Sequence, residues 1–203
     1  MSEQRVVIFD LGGVLVETAG RVALMALVPH LQNEALVLER WHRSPAVALF
    51  ERGRITPLQF AASFSDEWGI QLPPSEFLSA FAAWLRGPYP GASSLIQALR
   101  THHRVGCLSN TNAVHWARLT EVQGMLDFCF ASHLTGHMKP DRQAYEHALQ
   151  QLDSAAENVY FLDDLEANVV AARNLGINAF HVRGVAEATA AVRAAGLLPN
   201  GYA

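Results

Sequence analysis

Short apolar runs alternate with helical patterns from residue 91 onward. A helix is predicted around Ser93–Thr101, a buried run over Arg104–Leu108, a helix from Ala113 and a run over Phe128–Ala131. The alternation continues with a helix around Gln143–Gln151, a run over Val159–Leu162, a helix over Leu165–Leu175 and a run over Asn178–Val182. That order predicts an α/β fold with a parallel sheet between helical layers. Val169, Ala172 and Leu175 share one helical stripe, and Gly176 stands where a left-handed C-cap is expected; a last helix near Ala186–Ala195 ends the same way at Gly196.

Residues 17–90 read differently, as helical stretches with no convincing strand. Thr56-Pro57 has the form of an N-cap followed by proline at the first helical position, opening a helix towards Trp68. Phe77, Leu78, Phe81, Trp84 and Leu85 recur at helical spacing between Pro73-Pro74 and the breaker-rich stretch Gly87-Pro88-Tyr89-Pro90-Gly91. Because one strand precedes this block and the others follow it, an all-helical unit over 17–90 is expected inside an α/β domain formed by 1–16 and 91–203. Its aromatic stripes are read as helix-packing core.

The chain has 203 residues, enough for one well-filled domain with a modest insertion. Half of its residues are hydrophobic and 17% are charged, which excludes a disordered chain. The formal charge of −4 and the absence of a Lys/Arg block speak against a nucleic-acid partner. No apolar stretch approaches the length of a membrane span and the N-terminal run lacks a basic leader, so a soluble, cytoplasmic protein without a membrane partner is expected. Cys107 and Cys129 have neither metal-ligand nor redox spacing and read as small packed side chains.

Candidate chemistry lies where the apolar runs end. Val6-Val7-Ile8-Phe9 closes on Asp10 and turns through Gly12-Gly13; Leu108 runs into Ser109-Asn110-Thr111-Asn112; a loop after Ala131 carries Lys139-Pro140; and Phe161-Leu162 closes on Asp163-Asp164. Each has a bland explanation as a cap or surface loop. Together they fall at the carboxyl edge of the expected sheet, where open α/β sheets assemble their sites.

These four stretches resemble the four motifs of the haloacid dehalogenase superfamily, whose members are mostly phosphatases with an aspartate nucleophile. The likeness spans essentially the whole chain, and the helical block resembles that superfamily's small helical cap. The stretch Glu51-Arg52-Gly53-Arg54-Ile55 and the Asp-Asp-x-x-x-Asn pattern ending at Asn168 are most similar to the branch of bacterial glucose 1-phosphate phosphatases and of the phosphatase domain of soluble epoxide hydrolase.

The resemblance implies a Rossmann-like core, a Mg²⁺ ion and a small phosphorylated metabolite as substrate. Asp10 would attack phosphorus to give an aspartyl phosphate. Asp10, the Gly12 carbonyl, Asp164 and Asp163, the last through water or by orienting Asp164, would serve the metal. Ser109 and Lys139 would hold phosphoryl oxygens, Lys139 also offsetting negative charge, while the backbone of Leu11, Gly12 and Gly13 would approach the phosphate. Asn110 and Asn168 are secondary candidates. One departure stands out: many relatives carry a second aspartate, the general acid and base, two residues after the nucleophile, where this chain has Gly12. Haloacid dehalogenation and a catalytically weak binding module remain as alternatives. Trp41, His42, Arg52 and Arg54 are candidates to reach substrate from the cap, and His102, His103, His133 and His137 are read as surface or capping residues rather than zinc ligands.

Overall fold

A computed structural model describes residues 5–199 and 201, apart from His30 and Gln32; the remaining chain ends assigned to the core lie outside the described residues. The first apolar run forms β1 (Val6–Phe9), followed by β2 (Val16–Thr18) and helices α1 (Gly20–Leu27), α2 (Glu34–Arg43), α3 (Pro45–Glu51), α4 (Pro57–Trp68) and α5 (Pro74–Ala82). The chain then returns through β3 (Leu85–Pro88), α6 (Ala92–Arg100), β4 (Arg104–Ser109), α7 (Ala113–Trp116), α8 (Thr120–Met125), β5 (Phe128–Ala131) and α9 (Ser132–Thr135). It finishes with α10 (Arg142–Leu152), β6 (Val159–Asp163), α11 (Glu166–Arg173), β7 (Asn178–His181) and α12 (Gly184–Ala194).

Five strands form one sheet in the order β5-β4-β1-β6-β7, with every neighbouring pair parallel. Side chains alternate across it. Val7, Phe9, Val105, Cys107 and Leu162 pack on one face with α6, α8 and α12, whereas Val6, Ile8, Val159 and Phe161 pack on the other with α10 and α11. Both faces are dry, so the strands read as unbroken apolar runs. This is the expected three-layer Rossmann-like core, with β1 central and its carboxyl end beside those of β4 and β6.

The helices α1–α5 surround an apolar cluster of their own, built on Phe50, Phe60, Phe64, Trp68, Phe77, Phe81 and Trp84. Phe50 and Phe60 stack with ring centres 4.3 Å apart. Full burial of such a ring is worth roughly 1.5–3 kcal/mol, enough to hold short helices that are marginal alone. α4 opens as its sequence predicts: the Thr56 side chain accepts from the Gln59 N–H, the Gln59 side chain reaches back to the Thr56 N–H, and Pro57 follows.

Three sequence expectations need correction. The block 17–90 does contain strand: Glu17, Thr18 and Leu85–Pro88 belong to a two-stranded antiparallel ribbon of β2 and β3. Three or four residues are too few for an alternating pattern to stand out. The helical stripe stops at Ala82, so Trp84 lies in a turn and Leu85 in β3. The helix from Ala113 is two short helices, α7 and α8, broken between Trp116 and Thr120.

Candidate active site

The Asp10 N–H donates to the Leu162 carbonyl at 2.8 Å, carrying the β1 ladder one residue beyond the strand and leaving the side chain at the sheet's carboxyl edge. The Leu11 carbonyl then accepts from the N–H groups of Leu15 and Val16, while the Gly13 N–H donates to the Val16 carbonyl at 3.0 Å. That tight turn needs glycine. Gly13 has φ 79°, and a Cβ there would lie 2.4 Å from Asp164 Oδ2. The Gly13 N–H, expected to face phosphate, is therefore committed to the turn. The N–H groups of Leu11, Gly12 and Asn110 make no hydrogen bond among the described residues.

Lys139 is brought to the same edge by the loop after α9. Its ammonium donates to Asp10 Oδ1, the Leu108 carbonyl and Asp163 Oδ2, each at 2.7 Å. All three donors are in use, so binding a phosphoryl oxygen requires exchange of one of these bonds. Burial alone would lower the Lys139 pKa, but Asp10 and Asp163 override it and hold the ammonium charged well above its ordinary value. Burial pushes the Asp10 carboxyl up to about 7, with Lys139 opposing the rise and Asp163 and Asp164 adding to it.

The Asn110 side chain is engaged by the Lys139 backbone. It donates to the Lys139 carbonyl at 2.8 Å and accepts from the Lys139 N–H at 2.9 Å, a two-bond clamp on the lysine's backbone. Asp163 is fully buried and accepts from Lys139, the Leu165 N–H and, on both oxygens, the Asn168 amide. Asp163 thus holds other groups in place, and Asn168 orients it. The Asp164 carboxyl is partly exposed; burial and Asp163 raise its pKa. One carboxylate oxygen from each of Asp10, Asp163 and Asp164 lies within 4.8 Å of the others. Ser109 is a buried residue at the end of β4, and its hydroxyl makes no hydrogen bond among the described residues.

A family model described as a haloacid dehalogenase-like hydrolase matches residues 4–176. The chain belongs to the haloacid dehalogenase-like hydrolase family. The sesquiterpene phosphatase astK of Aspergillus oryzae is 32% identical to this hydrolase over 181 residues, covering 86% of the chain and 88% of its own length. The pyrimidine 5'-nucleotidase YjjG of Escherichia coli is 26% identical over 138 residues, 63% of the chain and 61% of its own. A haloacid dehalogenase family enzyme of Bacteroides thetaiotaomicron, solved with magnesium and inorganic phosphate, superposes with a TM-score of 0.72 at 21% identity, covering 87% of this chain and 93% of that one. Its likeness is one of fold.

Among the residues expected to reach substrate from the helical block, Trp41 packs against Phe64, Phe81 and Trp84, and His42 is exposed. Arg52 pairs with Asp141 at 2.7 Å and donates to the Gly136 carbonyl, and Arg54 lies beside Gly136, so both sit on the loop that carries Lys139. His133 lies in the short helix α9 with its ring edge on Trp116. His115, which no pattern singles out, is the hydrolase's link in the other direction: its Nε2 lies 2.8 Å from the Phe81 carbonyl and its ring stacks on Phe81 at 4.1 Å. Cys107 and Cys129 stand opposite each other on β4 and β5 as free thiols.

Proposed function

We propose that this hydrolase is a Mg²⁺-dependent phosphomonoesterase acting on a small phosphorylated metabolite, with residues 17–90 as a helical cap over a core made of 1–16 and 91–203. The observation that carries the reading is the cluster of Asp10, Asp163 and Asp164, of which the first two share a single ammonium. Three carboxylates against one lysine leave surplus negative charge beside a nucleophile that must meet a phosphate anion. Hard oxygen donors at such spacing suit Mg²⁺, with Asp10, Asp164 and the Gly12 carbonyl as its holders and Asp163 as their support. When bound, the ion supplies charge neutralisation and polarises the phosphoryl group. Halide displacement needs no such cation, and the cluster ranks it second. The phosphatase names of astK and YjjG favour the same choice.

In this reading the free Asp10 oxygen attacks phosphorus, and the covalent intermediate splits one difficult displacement into two. Lys139 keeps Asp10 ionised and in place; Asn110 keeps Lys139 in place. The uncommitted Ser109 hydroxyl and the N–H groups of Leu11, Gly12 and Asn110 are donors for phosphoryl oxygens. A sugar phosphate is the substrate class that the resemblance to glucose 1-phosphate phosphatases favours. No helix among the described residues is long and apolar enough to cross a membrane, and the unbridged cysteines favour a cytoplasmic setting.

The test is phosphate release from a panel of sugar, nucleotide and prenyl phosphates, with Mg²⁺ or EDTA, for wild type and Asp10→Asn. Release that needs both Mg²⁺ and Asp10 is expected. Halide release from 2-haloacids without metal would replace the phosphatase reading with dehalogenation.

A further inference from the structure

Cys107 and Cys129 are register partners on the parallel strands β4 and β5, and both side chains lie on the sheet face packed by α6, α8 and α12. Neighbouring strands run about 4.7–4.9 Å apart, inside the Cα separation of about 4.4–6.8 Å that a disulfide spans. The two strands are drawn close at this level. A Cβ on Gly106, which precedes Cys107, would fall 2.3 Å from the Phe128 ring and 2.4 Å from the Phe128 carbonyl oxygen. Without a side chain there, the backbones beside the thiols meet directly. β5 also ends the strand order of the sheet, so it can shift towards β4 without breaking a second ladder.

The two thiols differ as the members of a reactive pair do. Cys107 is wholly buried and Cys129 is partly exposed, so Cys129 is the one open to a solute. The Cys107 S–H donates to the Cys129 sulfur. That bond first, and burial second, hold the Cys107 thiol protonated above its ordinary range, whereas the same bond lowers the Cys129 pKa against that residue's own burial. A thiolate is the nucleophile towards peroxides, and a second sulfur beside it traps the product before further oxidation. The pair lies just below the candidate site. Leu108, next after Cys107, supplies the carbonyl that Lys139 binds, and Ser132, just past β5, exchanges hydrogen bonds with the Thr111 backbone.

We propose that Cys107 and Cys129 form an oxidation site, which a hydroperoxide converts to a disulfide that staples the edge strand β5 to β4 beneath the carboxyl edge of the sheet. With hydrogen peroxide, the Cys129 thiol gives up its proton and its sulfur attacks one peroxide oxygen. The O–O bond breaks, and the leaving hydroxide takes that proton to become water. Cys129 is then a sulfenic acid. The Cys107 sulfur attacks the Cys129 sulfur, the S–O bond breaks, and the departing hydroxide takes the Cys107 proton as a second water. The two thiols have lost two electrons, and the peroxide has gained them. A thiol reductant reverses the step by exchange. The site stands independently of the phosphatase reading.

The test treats the full chain with hydrogen peroxide, quenches it with an alkylating reagent, and reads thiol content and the tryptic map by mass. Wild type should lose both thiols together and yield the peptide of Cys107 joined to that of Cys129 with the loss of two hydrogens. Dithiothreitol should restore both thiols. Cys107→Ala removes the resolving sulfur, so a dimedone adduct should appear at Cys129. Cys129→Ser, a change at a partly exposed position, should leave Cys107 unoxidised at the same dose in a chain that still unfolds cooperatively in urea. Four results would each overturn the proposal: an oxygen-bearing Cys129 beside a free Cys107 in wild type, a disulfide only between two chains, a Cys107→Ala chain without the Cys129 adduct, or thiols that survive a dose that oxidises the urea-unfolded chain.

Discussion

Lys139 is the residue on which the site's electrostatics turn. It is 4% exposed and ties Asp10, Asp163 and the end of β4 together. Lys139→Met leaves two carboxylates buried without their counter-charge, a change of the kind that costs about 3–5 kcal/mol. Urea unfolding in EDTA should show that loss, and Mg²⁺ should restore part of it in a thermal-shift series, because a cation at the carboxylate cluster replaces some of the missing charge. Asn110→Ala acts more mildly. It removes both bonds on the Lys139 backbone, so turnover should fall about tenfold while urea unfolding shows a loss of roughly 1–3 kcal/mol. Asp10, Ser109 and Asp163 stand out in the sequence because each closes an apolar run, whereas Lys139 lies in a loop and is singled out by the resemblance. Their division of labour was not legible: Lys139 and Asp10 are far apart in the chain, and only folding shows that all three ammonium donors are occupied and that the Asn110 amide faces Lys139.

At the scale of elements, the core strands were legible because both sheet faces are buried, so Val6–Phe9 and Phe128–Ala131 stand out as unbroken apolar or aromatic runs bounded by polar residues. The β2-β3 ribbon was not, since its seven residues carry Glu17, Arg86, Gly87 and Pro88 and resemble a linker. The turn after α3 was legible as a motif but not as a docking piece. Gly53 has φ 67° and abuts the His133 carbonyl. Gly53→Ala should therefore cost roughly 1–2 kcal/mol in backbone strain alone and push the turn off the Ser132–Asp141 loop. Limited proteolysis of that loop should quicken, while the aromatic cluster of α1–α5, read by tryptophan fluorescence, stays intact. Arg52→Ala, which removes a half-exposed ion pair, should cost less than about 1 kcal/mol.

Across the whole molecule the helical block meets the core on two sides, through Arg52 and Asp141 on one and His115 and Phe81 on the other. Burial lowers the His115 pKa from 6.5 to about 4, opposed by its bond to the Phe81 carbonyl. An imidazole held neutral by folding contributes stability that is whole above about pH 6.5 and is lost as pH falls towards about 4, up to roughly 3 kcal/mol. Asp10, Glu51 and Asp164, with raised values, push the other way. The difference between wild type and His115→Gln isolates the histidine: the wild type should lose its stability advantage between pH 6.5 and 4 in denaturant titrations, and above pH 6.5 the gap should be constant.

The ribbon carries a consequence for anyone who would exchange the helical block for that of a relative. The turn that presents Asp10 is closed by Val16, the first residue of β2, and the Leu15 carbonyl accepts from the Tyr89 N–H just past β3. The Asp10 turn and the β2-β3 ribbon are therefore one piece of joinery. A chimera cut at 16/17 saws through that joint, and one spliced beyond Thr18 and before Leu85 keeps both strands of the ribbon with the five-stranded core. Only the second kind of graft should transplant a new helical block without dismantling the bench that presents Asp10.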